Sequence, residues 1–270
     1  MTRLPHVCCL ILLLAACGQT QGQFVEFPFE GAGTAPETFV KDGWEVSLSN
    51  ATLGFSPIYF CATESSSSAR CEVAIAEYLE GTTLDGLDPS PQQIGMIRGT
   101  TGTIRTAFFD YGIVWLLTNP LPEAFEGVPG GPAVVRFESS NYVPFGHSAQ
   151  FAGSATCVAD PDTCCPDATV CPAAYAFEAN VDVLVANRGT PAVNGARTFQ
   201  EITTDPRLLT ITFDPNAWWQ SVSFGRLAAL DDGTGNVVIT PDDPDYSALV
   251  ISMTANELPT FTWTTTEGAE

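Results

Sequence analysis

An all-β fold, an antiparallel β-sandwich with one or two short helices and disulfide cross-links, is what the sequence predicts. Three observations predict it. Apolar and polar residues alternate with a period of two in segment after segment, the mark of strands with one wet face. The chain holds 23 glycines and 20 prolines, as many short connections between strands require. Apolar residues rarely recur at helical spacing, so long amphipathic helices are not expected.

The alternation is clearest over 174–186. Tyr175, Phe177, Ala179, Val181, Val183 and Val185 share one face there, and Glu178, Asn180 and Asp182 share the other. Val135 and Phe137 alternate with Arg136 and Glu138 in the same way, and Leu209, Ile211 and Phe213 with Thr210 and Thr212. Further strands are expected over 44–55, 58–61, 71–78, 103–109, 112–118, 148–156 and 236–240. Two helices are expected. Asp214 stands as an N-cap before Pro215 at the first helical position, leading into Ala217-Trp218-Trp219. Asp243-Pro244 repeats the signal ahead of Tyr246, Leu249, Val250 and Met253 at helical spacing. Ile251 falls off that stripe, which leaves a strand as the alternative. Two long loops remain: 119–132, with Phe125 reading as exposed, and 157–171. No repeat of fixed period is present.

The first residues carry an address. Arg3 precedes an apolar run from Val7 to Ala16, long enough for a signal peptide and too short for a membrane-spanning helix. Leu14-Ala15-Ala16-Cys17 follows directly and resembles the lipobox of bacterial lipoproteins. The resemblance covers residues 1–17. It implies that the Cys17 thiol receives a diacylglyceryl group, that a peptidase cuts before it, and that the new amine is acylated. Cys8 and Cys9 would leave with the leader. Gly18 in place of Asp implies, by the same resemblance, the outer membrane. Two or three acyl chains hold a protein stably at a membrane, each buried methylene contributing about 0.8 kcal/mol. The expected organisation is therefore a signal peptide over 1–16, a lipidated terminus and flexible tether over 17–23, and one sandwich domain over 24–270. A division near residue 140 is the alternative. A membrane β-barrel would also alternate, but the cysteines, the lipobox and the polar tail over 264–270 argue against it.

Composition narrows the partners. The formal net charge is −21, from 31 acidic residues against 10 Lys and Arg. Such a field repels nucleic acid and anionic headgroups, so a nucleic-acid partner is set aside. The acidity suits solubility in an exposed compartment, or cation binding. Beyond Cys17 stand Cys61, Cys71, Cys157, Cys164, Cys165 and Cys171, an even number in a chain marked for export, which predicts disulfides. Cys61 and Cys71 flank one polar loop and are expected to pair. A bond between the adjacent Cys164 and Cys165 would be strained, so each is expected to pair with Cys157 or Cys171. Zinc ligation is disfavoured because Cys164-Cys165 lacks the two-residue gap that brings two thiolates to one ion.

The search for chemistry yields few candidates. His147 is the one histidine left after processing, so multi-histidine metal sites and HExxH hydrolysis are excluded. Its neighbour Ser148 would point to the opposite face of a strand, which disfavours a nucleophile–base pair, and a structural role at a strand end is expected. Glycan hydrolysis needs two carboxyls roughly 5–10 Å apart. Glu77 is the acid to single out, since it shares parity with Val73 and Ile75 and could be buried. Calcium is the possible cofactor: Asp231, Asp232 and Asn236 surround glycines, and Asp242, Asp243 and Asp245 could complete an oxygen shell. Trp218, Trp219 and Phe125 are possible ligand contacts, although neighbours on a helix diverge by about 100°, so at most one tryptophan should face outward. Two functions follow from these features. One is a membrane-anchored cell-envelope lipoprotein with a non-enzymatic binding or structural domain, meeting an envelope protein or glycan. The alternative is a lipid-anchored glycan hydrolase using a carboxylate pair.

Overall fold

The computed structural model describes residues 22–63, 71, 74–112, 114–117, 133–136, 147–166, 170–185 and 191–266. The leader, Cys17, Phe125 and the position near 140 lie outside these residues.

In chain order the strands are β1 (Phe24–Ala32), β2 (Phe39–Lys41), β3 (Trp44–Phe55), β4 (Ile58–Cys61), β5 (Ala74–Tyr78) and β6 (Thr82–Asp85). Next come β7 (Gln92–Thr100), β8 (Gly102–Phe109), β9 (Val114–Leu117), β10 (Ala133–Arg136), β11 (Ala149–Cys157) and β12 (Ala174–Val181). The last are β13 (Leu184–Val185), β14 (Val193–Ile202), β15 (Arg207–Thr212), β16 (Asn236–Ile239) and β17 (Thr260–Thr265). The predicted strands at 44–55 and 58–61 appear with those bounds. The 174–186 stretch stops at Val181 and resumes as β13, yet Tyr175, Phe177, Ala179, Val181 and Val183 are all buried.

Eight strands form one sheet in the order β14-β8-β4-β5-β7-β1-β15-β17. A second sheet runs β16-β12-β11-β3-β2 with β6 beside β3, and a small third runs β10-β9-β13. The fold is disulfide-bonded and mostly β, as expected, but the pairing is mixed rather than antiparallel throughout. β1–β15, β12–β16 and β9–β13 run parallel. Strands close in sequence pair through turns, whereas these three pairs join segments far apart along the chain, whose direction no local turn dictates. The eight-stranded sheet also curls until its edges approach one another. Trp263 on β17 donates its indole N–H to the Thr198 hydroxyl on β14. Trp263 and Phe261 meet Phe27, Phe60 and Phe109 inside the curl. The fold is thus part sandwich and part barrel.

Strands from both sides of residue 140 alternate in the two large sheets: β11 pairs with β3, β14 with β8 and β15 with β1. One apolar cluster runs from Val25 to Met253. The described residues on either side of that position therefore share one core.

Both expected helices form. In Pro215–Trp219 the Asp214 side chain accepts the Ala217 N–H and caps the first turn. Pro244–Ile251 is helical, with Tyr246 and Leu249 buried and Ile251 exposed, and continues into a π-helical turn over Ser252–Asn256. The strand alternative for Ile251 is thereby removed. Short helices at Pro161–Cys164 and Phe224–Ala228 had no periodic signal long enough to read.

Candidate functional site

The six cysteines past residue 17 form three disulfides: Cys61–Cys71, Cys157–Cys164 and Cys165–Cys171. The loop carrying the last two docks on the six-stranded sheet. Trp44 donates its indole N–H to the Cys164 carbonyl at 2.9 Å and packs edge-on against Tyr175. The Tyr175 hydroxyl, its pKa raised by burial and then by the Asp245 charge, donates to the Phe224 carbonyl. This loop is built as a staple for the sheet, with its sulfur chemistry closed.

The tryptophan platform is overturned. Trp218 and Trp219 are both fully buried. Their one-turn helix lies between the sheets, so both of the diverging directions end on apolar walls. Trp218 meets Tyr111, Phe151 and Phe213, and Trp219 meets Phe151, Phe177 and Phe224. The Trp218 N–H donates to the Glu257 carbonyl at 2.7 Å. Neither ring can meet a ligand, and Phe125, the third expected contact, lies outside the described residues.

Of the expected calcium ligands, Asp231, Asp232, Asp243 and Asp245 are engaged in other ways. Asp231 accepts the Gly233 and Gly235 N–H groups, and Asp232 accepts that of Thr234 and sits below the ordinary carboxylate pKa because of that residue. The Asn236 carbonyl lies 3.4 Å from the Thr234 hydroxyl, and Asp242 is exposed. Asp243 turns back to the Thr240 N–H and hydroxyl. Asp245 is buried and held by Arg226 and the Ser223 N–H, which fixes the Pro244–Ile251 helix against its neighbour. Among the described residues no group of three or more His, Cys, Asp or Glu side chains could hold a metal ion.

Glu77 does not sit on a buried face. Ala76 and Tyr78 point inward on β5, while Glu77 is half-exposed opposite Arg98 on β7. The parity was misread because the inward positions on this strand are occupied by one small residue and one tyrosine. His147 precedes β11 and its Nδ1 lies 2.9 Å from the Asp182 carboxylate. The Ser148 hydroxyl accepts the Val183 N–H, so both residues tie the start of β11 to the end of β12.

Two shallow grooves lie on the eight-stranded sheet. One, of ≈ 380 Å³, has Glu77, Tyr78, Leu79, Glu80, Met96 and Arg98 around it. Burial and then Glu80 raise the Tyr78 pKa there, and Arg98 pairs with Glu26 at 2.8 Å. The other, of ≈ 440 Å³, is lined by Arg105, Thr106, Arg197, Thr198 and Phe199. Its residues carried no motif, because they come from strands almost a hundred positions apart. One further group was missed: Asp110 is 7% exposed at the end of β8, its carboxyl pushed up to about 7 by burial, against the lowering effect of the Ala192 N–H at 2.6 Å. An acid after an apolar run looks like any strand end in sequence.

Among the described residues, no helix is long and apolar enough to cross a membrane. No family model matches the sequence, and no curated protein matches it. Among solved structures, MbnP from Methylosinus trichosporium is similar over 85% of this chain and 88% of its own, at 14% identity and a TM-score of 0.29. A likeness that distant assigns this chain neither a fold nor a function.

Proposed function

We propose that this chain is a bacterial lipoprotein, exported, cut before Cys17 and held by lipid at the cell envelope, where its β domain serves as a binding or structural module. The observation that carries the reading is the cysteine pairing. All six cysteines past residue 17 are matched with one another, which leaves Cys17 as the one thiol of the processed chain without a partner in it. Disulfides suit an oxidising compartment, and the lipobox supplies a covalent route from Cys17 to the bilayer. The outer membrane is the destination that Gly18 supports. The strongly acidic surface gives no electrostatic attraction to anionic lipid, so the acyl chains carry the attachment.

Fractionation of cells expressing the intact chain tests this. The protein should pellet with membranes and take up labelled palmitate, and Cys17→Ser should abolish both. Membrane retention of the Cys17→Ser protein would overturn the reading. Glycan hydrolysis by a carboxylate pair is not adopted, since the two tryptophans that would have offered a sugar platform are in the core.

A further inference from the structure

We infer that the end of the curled sheet at which β1 begins rests on the bilayer that holds Cys17, with the Phe24 ring in the interface. This pose rests on the lipid anchor proposed above and adds which surface of the domain the membrane meets. Phe24 pairs with Thr100, so the start of β1 lies beside the end of β7. β8 follows directly, and its Gly102 pairs with Ile202 at the end of β14. β15 runs parallel to β1 and so starts at the same end, where Arg207 pairs with Thr265, the last residue of β17. β4 ends and β5 starts toward it as well, joined by the Cys61–Cys71 bond.

The point where the chain enters the sheet is fixed. Gln23 donates its N–H to the Thr101 hydroxyl at 3.0 Å, and Thr101 donates its own N–H to the Gln23 carbonyl at 2.8 Å. Seven residue steps separate Cys17 from Phe24, and even fully extended they span no more than about 25 Å. A lipidated Cys17 lies at the bilayer surface, so the Phe24 end of the domain stays within that reach. The opposite end stands nine residues along β1, about 30 Å away. Because the tether makes docking intramolecular, a small contact is enough to hold the domain down.

The side chains select the pose within that reach. Phe24 is 68% exposed, on a strand whose Val25 and Phe27 are buried. Among the described residues the other strongly exposed aromatic ring is Phe199, three residues before the end of β14. Both rings therefore stand toward the tethered end. The turn beside Phe24, Gly99-Thr100-Thr101-Gly102-Thr103, carries no charge in a chain of net charge −21. An uncharged turn enters the headgroup boundary without desolvating an ion, and burial of a phenyl ring there is favourable. Glu26 and Arg98, paired with each other, come next along the strands and stay in water above the interface.

The test uses the intact, oxidised, lipidated protein in phosphatidylcholine vesicles, a neutral surface chosen because the net charge of −21 opposes anionic headgroups. A nitroxide is attached at Thr100→Cys, beside Phe24, or at Ser90→Cys, exposed ahead of the far end of β7. Power-saturation EPR then reads its contact with oxygen, which concentrates in lipid, and with a water-soluble nickel chelate. The Thr100 probe should gain oxygen contact and lose nickel contact relative to the unlipidated Cys17→Ser protein in solution, and the Ser90 probe should be unchanged. Phe24→Ser should lower the docked-to-free ratio by about tenfold, as loss of most of one buried phenylalanine implies, and Phe24→Leu should keep most of it. Neither should move the melting midpoint or release protein from the vesicles. A failed anchor shows as release of the parent protein, whereas failed docking leaves it vesicle-bound with an aqueous Thr100 probe. That aqueous probe, or a Phe24→Ser protein docked like the parent, would overturn the inference. So would loss of nickel contact at Thr100 without a gain in oxygen contact, the mark of a second copy or another protein over the ring.

Discussion

Trp263 on the last strand donates its indole N–H to the Thr198 hydroxyl at 2.9 Å, and that bond joins the two edges of the eight-stranded sheet. Unpaired edges invite association with other chains. Here a side chain bridges the seam where no ladder of backbone bonds does. Thr198→Val keeps the shape and leaves the indole N–H unpaired. It should cost about 1–2 kcal/mol and lower the thermal midpoint by roughly 2–6 °C. Thr198→Ser should cost less. Calorimetry on the three proteins checks the order.

Asp110 should make stability fall with rising pH. Burial holds its carboxyl at about 7, above the ordinary 3.8. Between those values the folded chain keeps a proton that the unfolded chain has lost, so folding weakens as pH rises through that window. The loss reaches about 4 kcal/mol when both forms are ionised, at 1.36 kcal/mol per pH unit. Asp110→Asn stays neutral and keeps an oxygen for the Ala192 N–H. It should match the parent near pH 4 and exceed it in melting midpoint near pH 8.

Arg226 and Asp245 form a one-sided pair: the carboxylate is 2% exposed and the guanidinium 59%. Arg226→Met would strip a buried charge of its main partner, leaving the Ser223 N–H. The expected cost is about 2 kcal/mol, below the 3–5 kcal/mol of a fully buried pair, since water can reach the arginine side. Adding Asp245→Asn should recover part of that loss. Urea unfolding of the single and double variants measures the coupling.

The cysteine pairing should be visible in solution. Peptide mapping with partial reduction should recover Cys157 with Cys164 and Cys165 with Cys171. Replacing Cys157 and Cys164 by serine opens a short loop and should cost about 2–3 kcal/mol, because the loop presents the Cys164 carbonyl to Trp44. Any recovered bond between Cys164 and Cys165 would contradict the structure.

Much of the fold was legible because strand alternation is a local property. The buried faces of β12 and β15 were read from Tyr175, Phe177, Leu209 and Ile211 alone. β7 was missed for a reason found only in its neighbour. A Cβ on Gly95 would come within 2.8 Å of the Tyr78 ring, and one on Gly99 within 2.3 Å of the Ile75 carbonyl. Glycines required by that close approach dilute the alternation. β14 was hidden by Asn194-Gly195, which reads as a turn but forms an irregularity with Gly195 at φ 75°. β17 was missed because Phe261 and Trp263 stand among threonines, and its last two residues fall in the stretch read as a polar tail.

The site followed the opposite course. Trp218 and Trp219 looked available and are core, whereas Arg105, Arg197 and Phe199 carried no motif and share a groove.

By itself the sequence determined the strand-rich class, the helix starts at Asp214-Pro215 and Asp243-Pro244, the pairing of Cys61 with Cys71 and the rule for the other four cysteines. Each of these rests on residues within a few positions of one another, where backbone geometry and sterics act directly. The tertiary structure alone decided which strands run parallel, how the sheet closes at Thr198 and Trp263, and which aromatic rings are buried. Those outcomes depend on contacts between distant segments, and no local pattern records which wall a side chain will finally face.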